Sequence, residues 1–230
     1  MASTSIHDAI VVGAGPAGTT AARQLAAAGV RTLLLDRAAF PRDKACGGAI
    51  TTRALARFPS LAAALERIPT HWISRLVLQG PSGRSAELRS NGPAVLTIRR
   101  VEFDALLVSL AREAGAEVVE ATDIHDAREE TDRVRLRARD GRTFDARMVI
   151  AADGVHGIVS RRLGLLKAWP REQLAIDLME ETPNATLRAA DADALWLSYG
   201  FPASWAGGPP GLKSESRRSP SDGAFSRPIS

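Results

Sequence analysis

The architecture of this chain follows from residues 8–36, DAIVVGAGPAGTTAARQLAAAGVRTLLLD. This segment opens with a short apolar run that ends at a glycine-rich turn, residues 13–18, and continues with alanines and a leucine at helical spacing. Gly29 stands where that helix should end, and a second apolar run closes on Asp36. The order of strand, glycine turn, helix, strand and acid predicts a dinucleotide-binding βαβ unit.

Each glycine of the turn has its own physical reason. We expect Gly13 to allow the tight turn, Gly15 to let a pyrophosphate approach the backbone, and Gly18 to let the helix pack close to the strand. Free N–H groups at the start of the helix favour the phosphates, and Asp36 is placed to accept hydrogen bonds from an adenosine ribose. The predicted cofactor contacts in this segment are Gly13, Ala14, Gly15, Pro16, Ala17, Gly18, Asp36 and Arg37. The pattern alone does not choose between FAD and NAD.

Length and composition exclude several classes of protein. The chain has 230 residues, 45% of them hydrophobic and 24% charged, which is typical of one or two globular domains. The net charge is +4, but the 26 acidic residues are interleaved with the 30 basic ones, so we expect no nucleic-acid partner. No segment has the length and apolar character of a transmembrane helix and the N-terminus lacks a signal-peptide pattern, so the cytoplasm is the expected location.

The cysteine, histidine and tyrosine residues each exclude a kind of site or enzyme. Cys46 is the only cysteine, which excludes an intrachain disulfide and a cysteine-based zinc cluster. The four histidines are far apart and show no ligand spacing, so we expect no metal site. A short-chain dehydrogenase is excluded because the only tyrosine, Tyr199, has Ala203 rather than lysine four residues later.

Three further motifs follow the βαβ unit. They are PRDKACGG at residues 41–48, RVEFD at 100–104, and AADG at 151–154 with SRRLG shortly after it. In this order the four motifs resemble the FAD-dependent family of p-hydroxybenzoate hydroxylase type, and residues 41–48 resemble its geranylgeranyl reductase branch. The resemblance covers about residues 6–200. It implies FAD as the cofactor and either a nicotinamide (NADPH) or ferredoxin as the electron donor.

The resemblance also implies cofactor contacts outside the glycine turn. In the family the Asp-Gly pair lies near the flavin's pyrophosphate, the arginine of Arg-x-x-Phe-Asp approaches the flavin, and the Cys-Gly-Gly loop lies beside its ring. A backbone contact on the adenine side falls after the third parallel strand. The matching residues in this chain are Cys46, Gly47, Gly48, Arg100, Ala121, Asp153 and Gly154.

Three assignments in these motifs carry alternatives. Arg99 competes with Arg100 for the flavin-side role, and Asp104 is either a structural ion-pair or cap residue or a ligand. Cys46 is the candidate catalytic residue, with a buried cysteine acting as a small hydrophobe as its alternative. Phe103, Leu106, Leu107 and Leu110 form a helical apolar stripe that we interpret as core.

The remaining patterns predict an α/β fold: a Rossmann-like FAD-binding domain with a parallel sheet and a β-meander, plus a partial mixed-sheet substrate domain. Residues 116–121 predict the third parallel strand, 133–149 a hairpin with one solvated arginine row, and 150–152 a buried strand. Residues 71–88 and 173–181 predict strands of the second sheet. The predicted segments are 1–70 and 99–168 for the FAD-binding domain, 71–98 and 169–206 for the substrate domain, and 207–230 for a disordered tail.

The family pattern stops after Tyr199. The substrate domain should continue there, and a later Gly-Asp motif should return the chain to the first domain. Residues 221–224 (SDGA) are not that motif, because no strand precedes them and no helical pattern follows. We therefore expect a chain that is truncated or frame-shifted relative to a longer reductase.

The leading functional prediction is an FAD-dependent oxidoreductase in which reduced FAD reduces isoprenoid carbon–carbon double bonds, as the resemblance implies. Its alternatives are an FAD-dependent aromatic monooxygenase or halogenase, and a truncated, non-catalytic dinucleotide-binding remnant. The Cys-Gly-Gly segment favours the reductase, and the Gly-Trp-x-Trp-x-Ile signature of flavin halogenases is absent. A lipid substrate is compatible with peripheral membrane contact, although the sequence shows no amphipathic anchor. The sequence specifies neither the substrate nor the oligomeric state.

Overall fold

A computed structural model describes residues 6–166, 169–170, 173–174, 179, 181 and 193–199. The strands in chain order are β1 (His7–Val12), β2 (Thr32–Leu35), β3 (Ala49–Thr51), β4 (Thr70–Ile73), β5 (Arg75–Gln79), β6 (Ser85–Arg89), β7 (Val95–Ile98), β8 (Glu117–Val119), β9 (Ile124–Glu129), β10 (Val134–Ala138), β11 (Thr143–Ala151) and β12 (Ala194–Ser198). The helices are α1 (Pro16–Ala27), α2 (Thr52–Leu55), α3 (Pro59–Ala64), α4 (Arg100–Glu113) and α5 (Val159–Arg162), with a 3-10 turn at Leu65–Arg67. The tail predicted at 207–230 and most of the strand predicted at 173–181 lie outside the described residues.

Six strands form the main sheet, in the order β8, β2, β1, β11, β10, β9. The first four are parallel, and β10 and β9 continue the sheet by antiparallel pairing. The predicted α/β fold is therefore confirmed, including the third parallel strand at Glu117–Val119 and the β10–β11 hairpin. Because β1 lies between β2 and β11, the glycine turn that follows it stands in the middle of the sheet edge.

Both faces of this sheet are packed. On one face, Val11 and Leu34 are fully buried in a cluster that includes residues of α1 and α4. On the other face, Ile10 and Leu136 are equally buried and Val159 of α5 joins them. A strand covered on both sides needs apolar residues at its buried positions, which explains the unbroken apolar run Ala9–Val12 of β1.

Helix α1 begins at Pro16, whose fixed φ suits the first helical turn. It ends at Ala27, and Gly29 adopts a φ of +79°, as expected for a glycine just past a helix end. In α4, the predicted apolar stripe packs with Leu96 of β7 in a separate cluster. The interpretation of that stripe as core is confirmed.

The carboxyl end of β11 is less buried than the sequence predicts. The strand is present, but Ile150 is half-buried and Ala151 is exposed. Met148, on the same face as Ile150, is 50% exposed, so the helical layer over β1 and β2 does not extend fully across β11. The prediction of a fully buried strand at 150–152 is wrong for that reason.

The arginines of β10 and of the turn before it pair with nearby acidic residues. Arg135 donates from Nε and Nη2 to the two carboxylate oxygens of Asp145 at 2.8 and 2.9 Å, and Arg133 donates to Glu130 at 2.8 Å. The Asp145 hydrogen bond raises the pKa of Arg135 above its ordinary value. Interleaved acids thus become partners of the arginines that surround them in sequence.

The described residues divide into two compact units. One contains those up to residue 71 and between 96 and 179, and the other contains those between 72 and 95 and beyond 180. In the second unit, β5 pairs with β6 antiparallel and with β12 parallel. The sequence predicts the strands within 71–88 but not β12. A third sheet has the order β3, β7, β4.

None of the described helices combines the length and the apolar character needed to cross a bilayer.

Candidate functional site

A cleft of about 770 Å³ lies in the first unit, at the carboxyl ends of β1, β2 and β11. Ligands of open parallel sheets bind at this edge, where the strand order switches direction. Of the predicted site residues, the lining brings together Gly13, Gly15, Pro16, Ala17, Asp36, Arg37, Arg100, Asp153 and Gly154. Outside the lining lie Ala14, Gly18, Cys46, Gly47, Gly48 and Ala121.

The glycine turn packs backbone against backbone. Gly13 has a φ of +103°, and a Cβ there would overlap the carbonyl oxygen of Ala152. A Cβ at Gly18 would overlap the carbonyl oxygen of Gly13. Gly15 differs, because a Cβ there would meet no atom within 4 Å and would project into open space beside the start of α1. Gly15 therefore marks the point where a ligand group can reach the helix N-terminus.

Asp36 ties the glycine turn to the loop after β2. Its Oδ2 accepts the Ala14 N–H at 2.6 Å, and its Oδ1 accepts the Ala38 N–H at 2.8 Å. The residue is only 8% exposed, yet it lines the cleft. Because each carboxylate oxygen has a second lone pair, Asp36 can hold the turn and still accept a hydrogen bond from a ligand hydroxyl.

Asp153, at the end of β11, both lines the cleft and holds the start of α5. Its Oδ2 accepts the N–H groups of Ile158 at 2.6 Å and Val159 at 3.1 Å, at the start of α5. A Cβ at Gly157 would overlap the Asp153 carboxylate, so this glycine leaves room for the side chain. Gly154 adopts a φ of +79° and stands in open space.

A buried carboxylate joins two arginines of the cleft. Nε and Nη2 of Arg100 donate to the two oxygens of Asp104, each at 2.7 Å, and Nη2 of Arg42 lies 3.0 Å from Oδ2 of Asp104. The hydrogen bond to Asp104 raises the pKa of Arg100. Arg99, the alternative to Arg100, does not line the cleft and donates to Glu102 at 2.7 Å. Asp104 is thus seen in an ion pair, one of its two expected roles.

The Cys46 loop is fastened to β7 rather than open on both sides. Gly48 is buried with a φ of +65°, a Cβ there would overlap the Ile98 carbonyl, and its own carbonyl accepts the Ile98 N–H at 2.9 Å. Gly47 is exposed and a Cβ there would meet nothing within 4 Å. Cys46 is exposed, so its interpretation as a buried small hydrophobe is wrong.

The surroundings of Cys46 lower the pKa of its thiol. The Gly48 N–H has the largest effect, burial opposes it, and the positive charges of Arg100 and Lys44 lower the pKa further. The sequence offered no partner for this cysteine, because Arg100 is 54 residues away in the chain.

Ala121 bends the chain after β8. It adopts a φ of +51°, and its N–H donates to the Ala38 carbonyl at 3.2 Å. Its amide is thus occupied within the protein, while the following Thr122 and Asp123 line the cleft. The predicted backbone contact falls on a residue that positions this lining.

Several lining residues were missed by sequence reasoning. Six cationic side chains line the cleft against four carboxylates, and the unpredicted ones are Arg42, Lys44, Arg139, Arg161, Asp43 and Asp123. Arg139 donates to Asp123 at 2.8 Å, and Arg161 donates to the carbonyls of His156 and Gly157. The SRRLG motif at 160–164 could have indicated Arg161. Arg139, in contrast, belongs to the arginine row that the sequence predicts to be exposed to solvent.

A family model described as "FAD binding domain" matches residues 7–207. The chain belongs to the FAD binding domain family. This family of FAD-dependent oxidoreductases accounts for the glycine turn, the cationic cleft and the parallel sheet together.

Three curated relatives give the family context. A menaquinone reductase of Mycolicibacterium smegmatis is 36% identical over 72% of this chain and 41% of its own length. A probable electron transfer flavoprotein-quinone oxidoreductase of Escherichia coli, YgcN, is 35% identical over 75% and 42%. Protein FixC of Salmonella typhimurium is 30% identical over 90% and 50%. The chain thus spans about half the length of the curated relatives it matches.

Solved structures agree on the fold. The halogenase PltM in complex with phloroglucinol and FAD has a TM-score of 0.59 at 21% identity, covering 69% of this chain and 36% of that one. The p-nitrophenol 4-monooxygenase PnpA of Pseudomonas putida has a TM-score of 0.60 at 19% identity, covering 68% and 43%. These likenesses establish an FAD-binding α/β architecture.

The cleft fits the pyrophosphate and ribose of FAD. The open space at Gly15 beside the start of α1 accommodates a phosphate that a larger side chain would exclude. The excess of cationic over acidic lining residues favours an anion. The free lone pairs of Asp36 suit hydroxyl groups.

The Cys46 thiol is expected to react with iodoacetamide at a lower pH than an ordinary cysteine, because the Gly48 N–H and the positive charge of Arg100 lower its pKa. Since Cys46 is the only cysteine, the pH profile of whole-chain alkylation, read by mass spectrometry, reports this residue alone. Arg100→Gln should move the midpoint of that profile to higher pH. An unchanged midpoint would show that Arg100 does not act on the thiol.

Proposed function

We propose that the chain is the FAD-binding part of a reductase of the geranylgeranyl reductase type, which reduces carbon–carbon double bonds of an isoprenoid chain. The observation that carries this proposal is the segment of the Cys46 loop: Gly48 fastens it to β7, and the same segment places Arg42 and Lys44 in the lining of the cofactor cleft. The 36% identity to a protein named menaquinone reductase supports an isoprenoid-bearing substrate.

The cleft residues take distinct parts in holding FAD. The start of α1 at Gly15 binds the pyrophosphate, together with the turn at Asp153 and Gly154. Asp36 accepts hydrogen bonds from the adenosine ribose, beside Arg37. Residues 1–70 and 99–168 form this FAD-binding part, while 71–98 and 169–206 contribute to the substrate side.

Reduced FAD, when bound, supplies a hydride to one alkene carbon. The second carbon needs a proton, and we assign its delivery to the exposed Cys46 thiol. Arg100 stabilises the thiolate left behind, because its positive charge lowers the pKa of the thiol. NADPH or ferredoxin is the proposed electron donor, and contact with a membrane surface would present the lipid chain.

The test uses the purified chain titrated with FAD, followed by anaerobic reduction and addition of menaquinone or a geranylgeranyl lipid. Mass spectrometry after re-exposure to air should show a product heavier by two hydrogen atoms in the isoprenoid chain. Reduction of the quinone headgroup alone would be reversed by air and would indicate a quinone oxidoreductase. Incorporation of an oxygen atom into an aromatic substrate would indicate a monooxygenase, and absence of FAD binding would indicate a non-catalytic remnant.

Gly15→Ala separates cofactor binding from folding. Because the added methyl group projects into open space at the cleft, we expect FAD affinity to fall at least about tenfold. The free energy of unfolding should change by no more than about 1 kcal/mol, the difference between glycine and alanine at a helix N-cap. Gly92→Ala is the control, since its Cβ also meets open space but lies outside this cleft. Equal FAD affinity in both variants would place the pyrophosphate elsewhere.

A further inference from the structure

The wall of the cleft after β8 contains the one left-handed residue other than glycine in the described part of the chain. Ala121 has a φ of +51°, and the next residue, Thr122, is 1% exposed and lines the cleft. A left-handed backbone is unfavourable for alanine and persists only where surrounding contacts hold it. We propose that Arg142 is the positioning residue of this wall: from the hairpin of β10 and β11 it fixes the bend at Ala121 and Thr122 in the shape that receives the adenosine half of FAD.

Arg142 reaches the bend through one nitrogen. Its Nη2 donates to Oγ1 of Thr122 at 2.8 Å and, at 3.5 Å, to the Ala121 carbonyl oxygen. The Thr122 hydroxyl itself donates to the Glu120 carbonyl at 3.0 Å, so its proton is already used and its oxygen serves as the acceptor for Arg142. The buried Thr122 side chain is thus held from both sides, and it cannot rotate without breaking one of these hydrogen bonds.

Two neighbours hold Arg142 itself in place. Asp140 accepts a hydrogen bond from its Nε at 2.7 Å and lies 2.6 Å from its Nη2, and the guanidinium lies over the Phe144 ring at 5.7 Å from the centroid. A planar guanidinium held in this way presents its remaining N–H groups in fixed directions. Arg142 does not line the cleft. It therefore acts on a ligand through the wall rather than by direct contact.

The wall adjoins the residue assigned to the adenosine ribose, and in this respect the inference rests on the proposed function. The Thr122 N–H donates to the Asp36 carbonyl at 2.7 Å. Arg139, at the other end of the hairpin turn, donates to Asp123 from its backbone N–H at 2.9 Å and from its Nε at 2.8 Å. The hairpin thus contacts two successive residues of the wall, and Arg142 is the contact that acts on the strained bend.

The positive charge of Arg142 offers a different explanation for any effect on ligand binding. A cation near the cleft favours any anion, whereas a positioning residue acts only through the wall. Thr122→Val removes the acceptor oxygen and leaves the charge of Arg142 intact. If Arg142 acts by holding Thr122, adding Thr122→Val to Arg142→Gln should weaken ligand binding no further. If its charge alone acts, the two losses should add.

The experiment titrates the parent chain, Arg142→Gln, Thr122→Val and the double variant with FAD and with ADP, which carries the adenosine half alone. We expect Arg142→Gln to raise the Kd of both ligands about fivefold, the effect of one lost hydrogen bond, and the double variant to match it. Additive losses, or unchanged affinity in a chain that binds ADP, would overturn the proposal.

Arg128→Gln is the matched control. The Arg128 guanidinium also pairs with an aspartate two residues earlier, Asp126, at 3.0 Å, but neither residue lines the cleft. Its affinity for ADP and FAD should equal that of the parent chain. A loss as large as that of Arg142→Gln would assign the effect to general charge and overturn the positioning role.

Hydrogen exchange without any ligand distinguishes this inference from the proposed function. The peptide that contains residues 119–123 should exchange at least about threefold faster in Arg142→Gln, because release of the bend frees its N–H groups. Arg128→Gln should leave that rate unchanged, and circular dichroism checks the fold of each variant. Unchanged exchange in Arg142→Gln would overturn the positioning role. Faster exchange in a chain that binds neither ADP nor FAD would uphold the fixing of the bend and overturn the proposed function alone.

Discussion

Gly13→Ala is expected to lower the free energy of unfolding by about 2–5 kcal/mol, the sum of left-handed backbone strain and overpacking. The strain follows from the φ of +103°, and the overpacking follows from overlap of the new Cβ with the Ala152 carbonyl. Because that contact joins the turn to β11, FAD binding should be lost as well. Urea unfolding followed by circular dichroism measures the first effect, and flavin fluorescence measures the second.

Gly141→Ala is the matched control for this substitution. Gly141 has a φ of +89°, but a Cβ there would meet no atom within 4 Å. It should therefore show only the strain, about 1–2 kcal/mol, and normal FAD affinity. Equal losses of stability in the two variants would argue against close backbone packing at Gly13.

Asp36→Ala is expected to lower the free energy of unfolding by about 3 kcal/mol, because two hydrogen bonds to a charged group are lost. The Ala14 N–H would then be buried without this partner, since Ala14 is fully buried. FAD affinity should fall too, as the glycine turn loses its anchor. Asp36→Asn keeps one acceptor oxygen. Its midpoint temperature of thermal unfolding should therefore lie between those of the parent chain and the alanine variant.

Asp140→Ala provides the comparison for Asp36. Its carboxylate also accepts the N–H two residues later, from Arg142 at 3.0 Å, but in an exposed turn. The free energy of unfolding of this variant should be almost that of the parent chain. A similar loss in both variants would mean that the local turn, rather than the link to Ala14, carries the effect of Asp36.

The fold was predictable where the signals are local. The glycine turn, the positive φ of Gly29 and the apolar run of β1 each depend on neighbouring residues, and the structure follows them. The hairpin of β10 and β11 was equally readable, because alternation and the Asp140-Gly141 turn fall within one short segment. These patterns identify the sheet edge and hence the position of the cleft.

The parts that were missed depend on residues distant in sequence. Arg42 and Asp104 meet across 62 positions, and neither residue type nor spacing signals that contact. Gly157 needs to be small only because the Asp153 carboxylate lies over it. Strand β12 pairs with β5 across more than a hundred residues, and its short apolar run carries no turn signal that indicates a partner.

The pairing of β1 with β11 has a consequence for biosynthesis. Residue 12 precedes residue 151 by 139 positions, and these two end the paired segments. At about 5–20 residues per second, the ribosome completes β11 roughly 7–28 s after β1. During that interval one edge of the apolar segment Ala9–Val12 of β1 lacks its native neighbour, which is a hazard for aggregation. Slow translation of the intervening segment would therefore lower the yield of folded chain, and a chaperone that covers this edge should restore it.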